Sequence, residues 1–479
     1  MKTNMDNKKP QIDENNVNEL YDELAHWNLN TGEETIHAKR VPGRFRSLKW
    51  FTASLWLIFF ISPYLRWNDK QAILFDIPNR QFNMFSLTIH PQDVWLLSLV
   101  LILMSMVLFG VTAVAGRVFC GYFCFQTIWT DAFTWIEEKI EGNPAQRRKL
   151  EKAPITFDKV RKKTIKHSLW LLISILTGVS FAAYFTDAYQ LWVDYFTLEA
   201  HIAAYVVLLA FMIGTYVLAG FLREQTCLWL CPYARIQGVM YDKDTILPTY
   251  DEARGEPRGK LKNKAKNKQG DCIDCNLCYA VCPTGVDIRV GQQEGCITCG
   301  LCIDACDTVM DKIGSPRGLV RYASAKEMRG IHQDPLLKRP RVLVYAAILL
   351  ACFSGIIYGL ATISAVDWHV LHQRQPLYTM MSDGSVRNKY TFKILNKTKE
   401  DMTVKIIIEG VDNISITGVQ ENILLRPDKM IPFDAYIRAN PKQLPKEHTP
   451  IVFKLQNIDK PDMVFKYDSV IIRPSRQSD

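Results

Sequence analysis

Eight cysteines between Cys272 and Cys306 constrain this chain more than any other feature. They form two copies of one pattern, in which each cysteine of the second copy follows its counterpart by 24 residues. The pattern, Cys-x-x-Cys-x-x-Cys-x-x-x-Cys, is that of bacterial ferredoxins with two 4Fe-4S clusters, in which the fourth cysteine binds the other cluster. The spacing therefore predicts two ligand sets: Cys272, Cys275, Cys278 and Cys306 for one cluster, and Cys296, Cys299, Cys302 and Cys282 for the second.

Structural zinc and disulfides are the alternatives for such a cysteine-rich block. Zinc sites commonly use separated Cys-x-x-Cys pairs, often with histidine, but no histidine lies between residues 271 and 306. Disulfides belong to oxidising compartments, whereas thiols that bind iron–sulfur clusters must stay reduced while the clusters are inserted. The doubled spacing therefore favours iron–sulfur clusters.

Five long stretches without charge predict a membrane protein, although the mean hydropathy of −0.04 resembles that of a soluble chain. A bilayer core needs about 20 apolar helical residues, and four of the stretches reach that length. The first is shorter, and we expect Lys49 and Arg66 at its ends to extend their charged groups towards water. Core helices of a soluble protein rarely lack charge over five such runs. The predicted spans are 50–65, 94–116, 167–186, 200–222 and 341–366.

Lysine and arginine predict the orientation. The connection between the second and third spans carries eleven of them, and the connection between the third and fourth carries none. The positive-inside rule then places the N-terminus and the cysteine block in the cytoplasm and the C-terminal segment in the periplasm of a bacterial inner membrane. Topology and contact with anionic membrane lipid account for the net charge of +9, so no nucleic acid is needed as a partner.

The chain divides into regions of different composition. Residues 1–40 are polar, without a signal peptide, and are predicted to be a disordered cytoplasmic tail. Residues 41–240 form a four-helix membrane unit, 241–270 a basic linker and 271–335 the ferredoxin domain, before the fifth span. Short β-branched runs after residue 375, spaced by turn residues, predict a small β-sandwich over 375–479. We expect that domain to bind a partner.

Two further cysteine pairs, Cys120 with Cys124 and Cys227 with Cys231, follow the second and fourth spans. Residues four apart share one face of a helix, so the two pairs are able to converge into one thiolate site, and thiolates suit Cu(I). The alternative is that they are inert cysteines packed at helix ends. No glycine-rich dinucleotide motif and no phosphate-binding loop occurs in the chain. Electrons must then come from an unidentified cytoplasmic protein or from quinol.

Several of these segments resemble the cytochrome c oxidase accessory protein family, also called the FixG or CcoG family. The matching segments are Gly116-Arg-Val-Phe-Cys-Gly-Tyr-Phe-Cys124, Gln126-Thr-Ile-Trp-Thr130, Arg254-Gly-Glu-Pro-Arg-Gly259, the two cysteine blocks from Asp271 to Cys306, and Asp383-Gly-Ser-Val-Arg-Asn-Lys-Tyr390. The family commonly has proline after the first cysteine pair, where this chain has Phe125. The resemblance implies that the C-terminal β-sandwich is immunoglobulin-like.

The resemblance also implies a function. It implies a membrane-bound cupric reductase, with copper as substrate, that supports assembly of a cbb-type cytochrome c oxidase together with other assembly factors, copper chaperones or transporters. Cys120, Cys124, Cys227 and Cys231 are then the candidate catalytic copper contacts or relays. Two alternatives stay open: a quinol- or ferredoxin-linked electron carrier that feeds a periplasmic reductase, and a non-catalytic, redox-sensing assembly scaffold.

Overall fold

The structure, a computed structural model, describes residues 36–68, 70–78, 80–85, 87–89, 93–260, 269–362, 364–398, 400–411, 413–427 and 429–474. The predicted disordered tail lies outside these residues as far as residue 35, as do residues 261–268 of the predicted linker. The chain forms two compact units, Met1–Ile356 and Ile357–Asp479.

The first unit is mainly helical. Its helices are α1 (Arg44–Leu55), α2 (Leu57–Ile61), α3 (Val94–Ala115), α4 (Val118–Tyr122), α5 (Phe125–Glu141), α6 (Pro144–Lys152), α7 (Phe157–Ala182), α8 (Ala188–Thr197), α9 (Ile202–Val217), α10 (Arg223–Gln225), α11 (Pro232–Gly238), α12 (Glu252–Gly255), α13 (Leu277–Ala280), α14 (Leu301–Ile313), α15 (Ala325–Met328) and α16 (Pro340–Thr362), which ends in the second unit. Two π-helical turns, Leu218–Leu222 and Thr226–Leu230, join α9 to α11 through α10.

Among the described residues, four helical segments are long and apolar enough to cross a membrane. They are Val94–Ala115, Phe157–Ala182, Ile202–Leu230 and Pro340–Thr362, and they correspond to four of the five predicted spans. The third span begins at Phe157 rather than at residue 167, because the basic residues that precede its apolar part continue the same helix. Such segments are typical of an integral membrane protein.

The first predicted span, 50–65, has a different form. Helix α1 begins at Arg44, before the predicted start, and a break at Trp56 separates it from α2. The prediction that Lys49 extends towards water is wrong, because this side chain is 2% exposed and its Nζ lies 3.6 Å from Oδ2 of Asp131. A buried charge is retained where an opposite charge pairs with it. A membrane span over residues 50–65 stays a prediction.

Two strands extend the ferredoxin domain beyond its predicted limits. β6 (Leu247–Tyr250) pairs antiparallel with β7 (Val320–Ala323), although the sequence places β6 in a linker. Further along the same segment, the backbone N–H of Gly259 donates to the Cys272 carbonyl at 3.2 Å. Residues 247–260 therefore belong to this domain. The end of the predicted tail is also ordered, since the N–H of Lys39 donates to the Ala280 carbonyl at 2.7 Å.

Small sheets follow α2, formed by β1 (Arg66–Trp67) with β2 (Lys70–Gln71), and by β3 (Ile73–Asp76), β4 (Gln81–Met84) and β5 (Leu87–Ile89). The second unit is a sandwich of two antiparallel sheets, ordered β12-β14-β10-β8, with β9 beside β10, and β13-β11-β15-β16. Its strands are β8 (Val366–His372), β9 (Thr379–Met380), β10 (Val386–Asn396), β11 (Met402–Glu409), β12 (Ser415–Thr417), β13 (Ile423–Leu425), β14 (Met430–Ala439), β15 (His448–Asn457) and β16 (Val464–Ile472).

Alternating side chains from both sheets fill the sandwich core, which includes the fully buried Phe392 and Phe453. The predicted β-strands all occur, but the domain begins earlier than the predicted residue 375. In β8, Val366, Trp368 and Val370 point into the core and alternate with polar residues. The sequence shows this alternation, but β8 begins at Val366, which is also the last residue of the predicted fifth span.

Candidate functional site

The first predicted ligand set surrounds one small cavity. Cys272, Cys275, Cys278 and Cys306 all line it, together with apolar side chains such as Met310. Cys306 comes from α14, whereas the other three come from α13 and the loop before it. Residues distant in sequence thus meet as the ferredoxin spacing predicts.

The loops that carry the two cysteine trios have the same backbone shape. Asp274 and Asn276 adopt the left-handed conformation in the first loop, with φ of 51° and 57°. Thr298 and Gly300, 24 residues later, do so in the second, with φ of 54° and 71°. A left-handed residue next to a right-handed one turns successive N–H groups to one side, which creates the anion-binding concavities found at many iron–sulfur sites. For the β-branched Thr298 this conformation is strained, and such strain is typical of functional loops.

The second predicted ligand set also lies together. The Cys302 thiol is within electrostatic reach of the thiols of Cys282, Cys296 and Cys299. The Cys302 thiol is also within electrostatic reach of Cys278, so the two ligand sets lie next to each other. The backbone N–H of Val286 donates to Cys282 Sγ at 3.3 Å, a hydrogen bond of the type that stabilises a sulfur ligand.

The chemistry of both sets fits iron–sulfur clusters. Burial raises the pKa of the Cys278, Cys296 and Cys306 thiols to about 12, and that of Cys302 well above its ordinary value. Such thiols ionise only beside added positive charge, which cluster iron provides. In the described part of the chain, no group of three or more His, Cys, Asp or Glu side chains is arranged to hold a single metal ion. The four cysteines of the first set line a cavity instead, an arrangement that suits a cluster of several iron and sulfur atoms.

The two Cys-x-x-x-Cys pairs share one local geometry. The N–H of Cys124 donates to the Phe119 carbonyl at 2.9 Å, and the N–H of Cys231 donates to the Thr226 carbonyl at 2.9 Å. Both bonds span five residues, as in a π-helical turn, and both enclose the first cysteine of the pair. π-helical turns occur frequently at functional sites.

A helix starts directly after each pair. Phe125 takes the first position of α5, as Pro232 does in α11. Proline is favoured at this position because its φ is already helical, but other residues fit there too. The substitution of phenylalanine for the family's proline therefore leaves the geometry unchanged. Cys124 and Cys231 both occupy the N-cap position of the helix that follows.

The four thiols of the two pairs lie near one another, although no three of them are placed to hold one metal ion together. Cys227 lies within electrostatic reach of Cys120, Cys124 and Cys231. Burial raises the pKa of the Cys120 thiol to about 11, while the nearby Arg117 guanidinium opposes this shift. The Cys120 thiol donates a hydrogen bond to Oε1 of Gln237 at 3.2 Å. We call Cys120, Cys124, Cys227 and Cys231 the thiol group.

The thiol group adjoins the second ligand set. A Cβ added to Gly121 would lie 2.7 Å from the Ile297 carbonyl oxygen and 3.0 Å from the Cys299 Cα, so the two backbones are in direct contact. The Tyr122 hydroxyl donates to the Cys299 carbonyl at 2.8 Å. Cys120 and Cys299 share one apolar cluster. The thiol group and the second ligand set are therefore in direct contact through Gly121 and Tyr122.

Cations that the sequence analysis did not assign to the site flank the second ligand set. Lys49 and Arg46 are within electrostatic reach of the Cys299 thiol, and Arg117 is within electrostatic reach of the Cys296 thiol. A buried cavity lined by Lys49 and Arg46 also reaches Cys227. Only the position of Arg117 directly after an apolar span could have drawn attention to it, because the contacts come from distant segments.

Family models match three parts of the chain. "4Fe-4S dicluster domain" matches residues 222–325, "4Fe-4S binding domain" matches 97–144, and "IG-like fold at C-terminal of FixG" matches 356–474. The second match contains Cys120 and Cys124. The third confirms an immunoglobulin-like C-terminal domain.

Relatives match most of the chain. Protein RdxB of Cereibacter sphaeroides is 42% identical over 82% of this chain and 86% of its own length. The nitrogen fixation protein FixG of Rhizobium meliloti is 37% identical over 84% and 86%, and protein RdxA of C. sphaeroides is 41% identical over 78% and 82%. A crystal structure of a FixG-related protein from Vibrio parahaemolyticus shares 23% identity, with a TM-score of 0.22, and covers 23% of this chain and 98% of that one.

The fold, the cysteine sets and these matches define a membrane protein with ferredoxin-type 4Fe-4S domains and a role in electron transfer. The chain belongs to the family of FixG, RdxA and RdxB.

Proposed function

We propose that this protein is a membrane-bound cupric reductase that passes single electrons from two 4Fe-4S clusters to Cu(II). Cys272, Cys275, Cys278 and Cys306 would hold one cluster, and Cys282, Cys296, Cys299 and Cys302 the other. The observation that carries the proposal is the contact of Gly121 with Cys299, which joins the thiol group to the second ligand set.

The residues divide the chemistry between them. The clusters supply electrons one at a time, and reduction of Cu(II) to Cu(I) needs one electron. The thiol group binds the copper, since thiolates prefer Cu(I). The Cys120 side chain packs in the same apolar cluster as Cys299. Burial of Cys120 at 5% exposure keeps water from one side of the site.

The proposal includes an orientation and partners. Basic residues flanking the ferredoxin domain favour its placement in the cytoplasm of a bacterial cell, with the C-terminal domain in the periplasm. Electrons would enter from a cytoplasmic protein or from quinol. Cu(I) would pass to copper chaperones, transporters or assembly factors of a cbb-type cytochrome c oxidase, as the family resemblance implies.

A pair of variants tests the copper role. The Cys227→Ser/Cys231→Ser protein should lose most Cu(II) reduction while it keeps its iron content and visible absorbance, because neither residue belongs to a cluster ligand set. Cys352→Ser is the matched control, since Cys352 is a buried cysteine within α16 that belongs to neither set. Cu(I) is measured anaerobically with a Cu(I)-specific chelator after cluster reduction.

Two outcomes would contradict the proposal. If the double variant reduces copper at the wild-type rate, the thiol group does not bind the substrate, and an electron carrier or a redox-sensing scaffold becomes the better account. If copper reduction and iron content fall together, Cys227 and Cys231 serve the structure of the domain and not copper.

A further inference from the structure

Arg117 is a buried cation without an acidic partner. Its side chain is 2% exposed, and no carboxylate pairs with it in the described part of the chain. Its Nη1 donates to the Glu294 carbonyl at 2.6 Å, while Nε and Nη2 make no hydrogen bond there. A buried charge of this kind is strongly unfavourable unless an opposite charge compensates it.

Cysteines of both sites and the Tyr241 hydroxyl lie around Arg117. Its guanidinium is within electrostatic reach of Cys120 and Cys227 of the thiol group. It also acts on Cys296 of the second ligand set. The backbone N–H of Arg117 donates to Oγ1 of Thr298 at 3.2 Å, which fixes the residue against the loop that carries Cys296 and Cys299. These interactions place the guanidinium next to cysteines of both sites.

Beside the first ligand set, the described residues show a different arrangement. Arg289 lines its cavity but binds two carboxylates, with Nη2 2.6 Å from Asp287 and Nη1 2.6 Å from Asp274. Arg289 acts on Cys278 more strongly than Asp287 does, and Asp307 acts on Cys306. The cation beside the first set is therefore compensated by two carboxylates, whereas no carboxylate in the described part of the chain pairs with Arg117 beside the second.

We propose that Arg117 is a positioning residue that raises the reduction potential of the cluster held by Cys282, Cys296, Cys299 and Cys302 above that of the other cluster. The inference rests on the proposed ligand sets. Reduction adds one negative charge to a cluster, and a nearby cation in a water-poor interior stabilises that charge. Electrons then collect at the cluster beside the thiol group, which gives the chain a fixed direction of electron flow.

Redox titrations followed by electron paramagnetic resonance test this without copper. Arg117→Gln keeps an N–H donor for the Glu294 carbonyl but removes the charge. It should lower the potential of the higher-potential cluster and leave the other unchanged, while Arg117→Lys should stay near wild type. Arg235→Gln is the matched control, because Arg235 pairs with the Glu294 side chain at 3.0 Å but is 47% exposed. The signal absent from Cys296→Ser identifies the cluster that moves.

Unchanged potentials in Arg117→Gln, or an equal shift in Arg235→Gln, would overturn the inference. If Arg117→Gln does not retain its clusters, Arg117→Lys decides: a potential near wild type supports the charge role, and a lowered one refutes it. Because no copper is present, failure of the cupric reductase proposal would leave these potentials unaffected, and failure here would leave copper reduction open.

Discussion

Replacing Gly121 with alanine perturbs the contact between the thiol group and the second ligand set. The new methyl carbon would lie 2.7 Å from the Ile297 carbonyl oxygen and 3.0 Å from the Cys299 Cα. Ordinary contacts of carbon atoms are about 3.5–4.0 Å, so the two segments must separate by roughly 0.5–1 Å. Both opposing atoms belong to the backbone, and no side-chain rotation relieves the clash.

Overpacking of this kind costs about 1–3 kcal/mol. That energy corresponds to a factor of roughly 5 to 150 in the equilibrium between the docked and separated segments. The separation also moves Cys299, so we expect faster loss of one cluster and slower electron transfer to copper. The cluster bound by Cys272, Cys275, Cys278 and Cys306 should stay intact.

Iron release to a chelator and the rate of Cu(I) formation measure these effects. Gly214→Ala is the control, because its added Cβ meets no atom within 4 Å, and glycine to alanine in a helix interior stabilises by about 0.5–1 kcal/mol. Gly121→Ala should release about half of its iron faster than wild type, and Gly214→Ala should not. Wild-type iron release together with wild-type copper reduction in Gly121→Ala would refute the reasoning.

Three further predictions concern other parts of the chain. Cys282→Ser and Cys306→Ser should each lose a different cluster, seen as loss of different paramagnetic resonance signals; loss of the same signal would refute the crossed ligand sets. Asp131→Asn should destabilise by about 3–5 kcal/mol in thermal unfolding, because it leaves buried cations unpaired. Burial raises the pKa of Asp131, but its basic neighbours outweigh this and lower it, so its contribution is complete above about pH 4 and falls only below it. Asn388→Ala should cost about 2–4 kcal/mol in unfolding of the C-terminal domain, since two hydrogen bonds to the Ile472 backbone are lost in the core; a change under about 0.5 kcal/mol would contradict this.

Local patterns in the sequence predicted much of the fold. Cysteine spacing predicted which distant residues meet, because an iron–sulfur cluster fixes the positions of its ligands, and the cavity at Cys306 agrees with it. Uncharged stretches predicted five spans, since a bilayer core requires such lengths, and four of them occur as long apolar helices in the described residues. Alternating β-branched residues predicted the main strands of the sandwich. Each of these signals lies within a short segment.

Contacts between distant segments could not be predicted in the same way. Lys49 reads as a charge at the end of a span, but Asp131, 82 residues later, draws it into the interior. Arg117 reads as a boundary residue, and only the folded chain places Glu294 and the cysteines around it. β6 has too little sequence signal to be separated from a linker before its partner β7 is known.

The most direct test of the central claim is the electron balance of a single turnover. The wild-type protein is purified in detergent without oxygen, its clusters are reduced, excess reductant is removed, and Cu(II) is added with a Cu(I)-specific chelator. The cupric reductase account predicts that the absorbance of the oxidised clusters returns in step with Cu(I), with one Cu(I) formed per electron released. Clusters that stay reduced while no Cu(I) forms would contradict it.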